Sequence, residues 1–349
     1  MRYRDATFFL IFCLLFCLSP APARSSEDSG RFVIDMAGRR VLIPREVRRV
    51  ITAGGTPAVN AFIFAIGKGA TIKNGLPLTM TMHDNRWKYQ TVFAPSLVNQ
   101  PVVSASAASV WTPNLEVLAT LPHDLIFVDS ESTARMLEKR GFTVISLNWR
   151  DTECVRKTIA LMGEIFNQRD KAKEFEEYYQ NVLLRVSAQV AAISEEKRPR
   201  VLYIRINPMA LPMASTASHL IMLAGGRYGA TGMIPEYSAF SLERLITWDP
   251  DILLVGGPAE VKHIYHEKCY SQLKAVKNQK VYVVPVGAHP WTNFTPEQAI
   301  SILWLAKLLY PDRFEGLNIA DEMKYFYHKF FGYQLTDMQI SEILTQNIQ

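Results

Sequence analysis

One pattern, written twice, constrains what this chain can fold into. The first copy is Asn114-Leu115-Glu116, then Leu118, then Asp124-Leu125-Ile126-Phe127-Val128. The second is Ser241-Leu242-Glu243, then Leu245, then Asp251-Ile252-Leu253-Leu254-Val255. In each, a Leu-Glu pair opens a short helical stretch, and the Asp follows eight residues after the Glu. Pro122 and Pro250 stand just before those Asp residues, where a ring without an N–H ends a helix. The apolar runs that follow lack polar alternation and read as strands buried on both faces, as in a parallel sheet. A helix–strand unit recurring in each half of the chain predicts two similar α/β lobes.

At 349 residues and 48% hydrophobic content, the chain has enough apolar surface for one large or two ordinary domains. Its first 23 residues read as a secretory signal peptide: Arg2 and Arg4, an apolar stretch at 8–18, then Ala21-Pro22-Ala23 at the cleavage position. Cys13 and Cys17 each follow a Phe, where a lipoprotein signal needs a small residue, so a soluble exported protein is expected rather than a lipid-anchored one. No later stretch is apolar over a membrane-spanning length. Cleavage lowers the formal charge from +5 to +4, which favours an anionic partner but, being dispersed, implies no nucleic-acid surface. Cys154 and Cys269 alone would survive cleavage, in different halves of the chain, and are left unpaired.

In chain order, residues 32–43 read as a hairpin turning near Gly38, and Val50-Ile51 as a further strand. The turn Gly54-Gly55-Thr56 leads into a helix over 58–66; it could face an anion or simply be tight. Residues 73–101 show no sustained period and crowd His83, Arg86, Trp87 and Tyr89 together, the mark of a binding loop. Strands are expected at 144–147, 201–206 and 281–285. A long helix is expected over about 170–193, where Phe175, Tyr179, Val182 and Val186 recur at helical spacing. The helical tail after residue 320 is expected to pack on the second lobe.

These motifs together resemble the substrate-binding proteins of ATP-driven importers for iron–siderophore complexes, haem, vitamin B12 and, in one branch, molybdate. The resemblance rests on Val33, Asp35, Gly38, Arg39, Val41, Ile43 and Pro44, on Arg49-Val50-Ile51 and both repeat copies, and on Ala224-Gly225-Gly226. It closes with Trp304-Leu305-Ala306-Lys307 and Leu309-Tyr310-Pro311, so that it covers residues 31–331. It implies an α/β fold of two Rossmann-like lobes joined by a single long α-helix, the class III periplasmic architecture. The lobes would be 31–168 and 198–349, the connecting helix 169–197, and the ligand would lie between them. It also implies that Glu116 and Glu243 dock onto a dimeric permease with its ATPase. Two carboxylates held at fixed separation could orient the protein on both permease halves, though a glutamate in a helix's first turn also suits the helix dipole.

Ligand contacts are expected where loops leave the strand ends. On the first lobe these are Thr56, Arg86, Trp87, Tyr89, Ser130 and Trp149; on the second, Arg205, Asn207, Tyr237, His289 and Trp291. Guanidinium forks bind carboxylates and oxyanions, and aromatic rings cover the faces of a chelate; a tryptophan is as readily core packing. The ligand would be a metal chelate or a metal oxyanion such as molybdate or tungstate, bound by a monomer that needs no cofactor. His263, His266 and Cys269 recur every third residue, yet no fourth metal ligand lies near and the segment is expected away from the cleft. Met80, Met82, Met209 and Met213 read as flexible apolar lining. No Gly-x-Ser-x-Gly elbow, phosphate loop or His-Glu-x-x-His helix is present. A secreted hydrolase on the same scaffold therefore rests on fold analogy alone, and a sensory or chelatase-like relative is the third alternative.

Overall fold

The computed structural model describes residues 30–81, 85–106, 109, 111–212, 214–230 and 238–347. The expected signal segment, together with Met82, His83, Met213 and Tyr237, lies outside them.

The opening motif has a plain structural job. Strands β1 (Arg31–Ile34) and β2 (Arg40–Ile43) pair antiparallel around Gly38, whose φ of 75° is readily open to glycine. The buried Asp35 carboxylate accepts from the backbone N–H groups of Ala37, Arg39 and Ser146 at 2.9–3.0 Å. The Arg39 guanidinium binds that carboxylate at 2.6 Å and donates to the Val144 carbonyl at 2.9 Å. The Asp-x-x-Gly-Arg signature thus pins the hairpin to the edge of the first lobe.

That lobe is built on parallel strands β3 (Val50–Thr52), β4 (Leu125–Val128) and β5 (Val144–Ser146), in the order β3-β4-β5, with Ile72 bridging onto β3. The second lobe holds β6 (Arg200–Ile206), β7 (Met209–Ala210), β8 (Arg227–Tyr228), β9 (Ile252–Val255) and β10 (Val281–Val283). Its parallel order is β10-β9-β6-β8, and β7 hooks antiparallel onto the end of β6. With Ile72 standing for β8, the two sheets have the same order and direction, as the repeat predicts.

Each residue of the repeat acquires a matching role. Asn114 and Ser241 cap the N-termini of helices Leu115–Thr120 and Leu242–Trp248, accepting from backbone N–H groups of their first turns. Asp124 and Asp251 then fasten each strand's neighbour. Asp124 accepts from the N–H groups of Arg48 and Arg49 at 2.7 and 2.8 Å, and Asp251 from that of Arg200 at 2.8 Å.

The strands are apolar throughout because both faces are covered. Val50, Leu125 and Phe127 of the first sheet and Val201, Ile252 and Leu254 of the second belong to one continuous core. The alternate residues face outward: Ile51, Ile126 and Val128 pack under Leu118 and Leu137, while Leu202, Leu253 and Val255 pack under Leu245 and Trp248. The helix Arg169–Val190 links the lobes and packs on helices Thr152–Ile165 and Gln298–Leu309. Its buried Phe175, Tyr179, Val182 and Val186 join the common core.

The tail departs from expectation. Helix Ile319–Phe326 packs on Gln298–Leu309 as expected, but the π-helical turn Tyr327–Phe331 and helix Asp337–Thr345 reach the first lobe. The ring of Tyr327 stacks on Phe93 of the first lobe at 5.0 Å, and the turn packs on helix Thr56–Ala65. Among the described residues no helix is long and apolar enough to cross a membrane, and Cys154 and Cys269 are free thiols.

Candidate ligand cleft

Strands β3, β4 and β5 of the first sheet and β6, β9 and β10 of the second point their C-terminal ends at one cavity of about 1670 Å³ between the lobes. Gly55 follows β3, Asp129 follows β4 and Trp149 leaves β5. On the far side, Arg205 is the penultimate residue of β6, Gly256 follows β9 and His289 lies beyond β10. Convergence of strand ends and their loops is the usual origin of a site in open α/β sheets.

The turn Gly54-Gly55 proves to be tight for an internal reason. Asp129 Oδ2 accepts from the Gly55 N–H at 3.0 Å, so that amide is already engaged. A Cβ at Gly55 would lie 3.0 Å from the same carboxylate and 3.1 Å from the Trp149 ring. The missing side chain therefore lets both close in. Burial pushes the Asp129 carboxyl up, partly offset by these backbone donors. Across the cleft Glu260 has a related task, accepting from the Ile206 N–H at 2.9 Å and the Gly256 N–H at 2.7 Å.

Positive charge enters from both lobes. Arg86 reaches across and donates to the Gly256 carbonyl at 2.8 Å. Arg150 and Arg205 are exposed and form no ion pair among the described residues. The cleft carboxylates, by contrast, are committed to backbone amides. Its free valence therefore favours an anion. The Trp87 ring meets His289 with 5.3 Å between centroids, joining the lobes again. His289 also lies 2.9 Å from the Asn293 amide nitrogen through Nδ1. Its pKa is lowered to about 4, by burial first and then by the Arg86 charge, leaving a neutral imidazole at neutral pH.

Beneath His289 lies a buried polar joint. Glu297 accepts from the N–H groups of Ala288 and His289, both at 2.8 Å, and from the Tyr327 hydroxyl. Burial pushes its carboxyl up to about 7, against the pull of these donors. From the first lobe, Gln90 donates to the Ala288 carbonyl at 2.6 Å. The peptide carrying His289 is thus gripped from both sides.

Of the residues expected at the site, Arg86, Trp87, Trp149, Arg205, Asn207 and His289 line the cavity. Others are corrected. Thr56 is buried and turns its hydroxyl to the Thr52 carbonyl at 3.1 Å. Tyr89 is fully buried, with its hydroxyl 2.7 Å from Glu342. Ser130 caps helix Glu131–Glu138 through the Thr133 N–H instead of facing the cavity. Trp291 is 0% exposed and packs edge-on against Trp304, so it is core. Tyr237 lies outside the described residues.

Sequence reasoning missed Trp111, Arg150, Tyr203, Glu260 and Phe294, which also line the cavity. Arg150 carried a usable signal in its place beside Trp149 at a strand exit; the others carried none. His263 lines the cavity too, edge-on to Tyr270 with 5.9 Å between centroids, against the expectation that its segment lay elsewhere. Among the described residues no three His, Cys, Asp or Glu side chains gather as a metal site.

Glu116 and Glu243 occupy matched second positions of their helices, are exposed, and form no ion pair among the described residues. The Glu243 carboxyl is held below its usual range, chiefly by a hydrogen bond with Ser241.

The chain is similar to known proteins over most of its length. It is 25% identical to the molybdate-binding protein MolA of Haemophilus influenzae over 350 residues, which covers 92% of this chain and 95% of the relative. It is 28% identical over 173 residues to the haem uptake protein IsdE of Staphylococcus aureus, covering 46% of this chain and 57% of that one. A periplasmic solute binding protein of Veillonella parvula superposes with a TM-score of 0.78 at 24% identity, covering 90% and 96% of the two chains. Residues 84–286 match the periplasmic binding protein family. The chain belongs to that family, with the two-lobed α/β architecture of its class III members.

Proposed function

We propose that this chain is the substrate-binding component of an ABC importer, capturing an anionic metal chelate of siderophore, haem or corrinoid type in the periplasm. Cavity size carries the reading. At about 1670 Å³ the cleft exceeds the roughly 300–1,000 Å³ of ordinary small-molecule pockets, ample for a whole chelate and far more than a bare tetrahedral anion needs. Arg86, Arg150 and Arg205 would meet the chelate's anionic oxygens, and Trp87, Trp111 and Trp149 its flat faces. Glu116 and Glu243 would dock onto the two halves of the permease, whose ATPase drives release.

A second reading, capture of a small oxyanion, draws support from the near full-length similarity to a protein named for molybdate. Native mass spectrometry with metal analysis of protein taken from its own periplasm separates the two. A bound mass of several hundred daltons carrying iron or cobalt is expected. Recovery of bare molybdate would overturn the chelate reading in favour of the oxyanion.

A further inference from the structure

The C-terminal segment occupies a place that neither the fold nor the cleft alone requires. Helix Asp337–Thr345 lies between the lobes and is tied to each. Toward the first lobe, Glu342 is 5% exposed and receives the Lys88 ammonium at 2.9 Å and the Tyr89 hydroxyl at 2.7 Å. Toward the second, the Val286 N–H donates to the Ile343 carbonyl at 3.1 Å. The Gln346 amide donates to the carbonyls of Gly256 and Val284 at 2.9 and 2.5 Å.

Two of these ties bear on the cleft. Lys88 and Tyr89 directly follow Arg86 and Trp87, which reach into the cavity. Gln346 itself lines the cavity, and it shares the Gly256 carbonyl with Arg86. We propose that the segment from Asp337 to Gln346 is a strap that forms part of the cleft wall and positions Arg86 and Trp87 for the ligand, with Glu342 as the positioning residue.

The physical case rests on competing ensembles. Arg86 and Trp87 stand just ahead of helix Lys88–Phe93, only six residues long, which by itself is marginal in water. Its direction depends on what holds its first turn. A buried carboxylate receiving both an ammonium and a phenol fixes that turn, and charge-assisted bonds of this kind are about twice as strong as neutral ones. Without Glu342 the turn keeps its apolar packing and the 3.0 Å contact of the Tyr89 hydroxyl with the Gln339 carbonyl, but loses the carboxylate that ties Lys88 and Tyr89 together. The two cleft side chains would then sample several orientations, and the ligand would have to select one of them.

The proposal deepens the ligand-capture reading, so its test includes a measurement that needs no ligand. The protein is labelled with 5-fluorotryptophan, and the Trp87 line in its fluorine NMR spectrum is assigned from Trp87→Phe. A single narrow Trp87 line is expected for the native chain. In Glu342→Ala it should split or broaden while the Trp304 line stays fixed, and Glu342→Gln, whose amide oxygen still accepts from Tyr89, should largely restore it. Lys88→Met, which changes a partly exposed residue, should broaden the line to a lesser degree should Glu342→Ala fail to fold. Binding of a ferric tris-catecholate and of molybdate is measured alongside, with at least a tenfold loss expected for the bound probe in Glu342→Ala. An unchanged Trp87 line in Glu342→Ala and Lys88→Met would overturn the strap. So would movement of every tryptophan line together, which marks general loosening. If neither probe binds the native chain, a catecholate or molybdate cargo is excluded while the fluorine spectra still decide the strap.

Discussion

The two lobes share their scaffolding and differ at the cleft. Asp124 and Asp251 hold the same place before β4 and β9, Asn114 and Ser241 cap the same turn, and Glu116 and Glu243 emerge at the same helical position. Past the strands the likeness ends. In the first lobe Asp129, immediately after β4, closes on a single amide of a glycine turn. In the second, Glu260 reaches back from helix Pro258–His266 to bridge two. Only the second half carries a segment like 285–347, which returns to grip the first. Repetition here marks what any α/β lobe needs, and the departures from it gather around the cleft.

The comparison can be broken most severely at the matched glutamates. If both lobes dock, Glu116→Arg with Glu243→Arg abolishes importer-dependent uptake, and each single reversal impairs it to a similar extent. Purified protein should bind ligand as before. A large effect from one lobe alone, seen in a transport assay, would end the symmetric docking reading.

Next in size is the cleft. Arg150 and Arg205 are contributed one by each lobe, without ion-pair partners among the described residues. Loss of a charge-assisted contact costs about 1.5–3 kcal/mol, so Arg150→Ala and Arg205→Ala should each weaken ligand binding by roughly 10- to 100-fold. Calorimetry showing full affinity in either variant would remove that residue from the site.

The repeat's aspartates give a smaller and unequal effect. Asp124 serves two backbone amides and Arg49, whereas Asp251 serves the Arg200 amide. Asp124→Ala should cost about 3 kcal/mol and Asp251→Ala about half as much in chemical denaturation. Equal losses would mean that the strand-fastening bonds do not set the energetics.

The last effect is a slope. The Glu297 carboxyl, raised from 4.5 to about 7 in the folded chain, stabilises below its unfolded value, and this contribution is lost as pH climbs through about 7. The His289 imidazole, lowered from 6.5 to about 4, stabilises above its unfolded value and loses that as pH falls through about 4. Between 4.5 and 6.5 the two slopes oppose. Glu297→Gln should therefore make stability fall with acid, relative to the native chain, by about 1.4 kcal/mol per pH unit. Denaturation midpoints that run parallel for both proteins across that window would refute the pairing.

Much of the fold was legible because its signals are local. Strand-length apolar runs, prolines after the repeat helices and glycines at turns gave β3 to β6 and the long helix within a few residues. The site was legible only in part. Trp149 and Trp291 follow strands in much the same manner, yet one lines the cavity and the other is sealed against Trp304. What separates them is where distant chain arrives, and no nearby residue encodes that. Tyr89 misled for the same reason, since its partner Glu342 lies 253 positions away. Glu260 went unnoticed because a glutamate in a helix's first turn has an adequate local explanation.

The continuous core bears on how this protein could be turned into a detector. Side chains from both sheets and the linking helix fill one apolar interior; if that core holds the lobes together, ligand arrival should change the overall shape little. Donor and acceptor dyes placed on opposite lobes would report weakly. The indole of Trp111, a residue 59% exposed at the cavity's edge, would report by its own fluorescence as it is shielded by a ligand settling beside it.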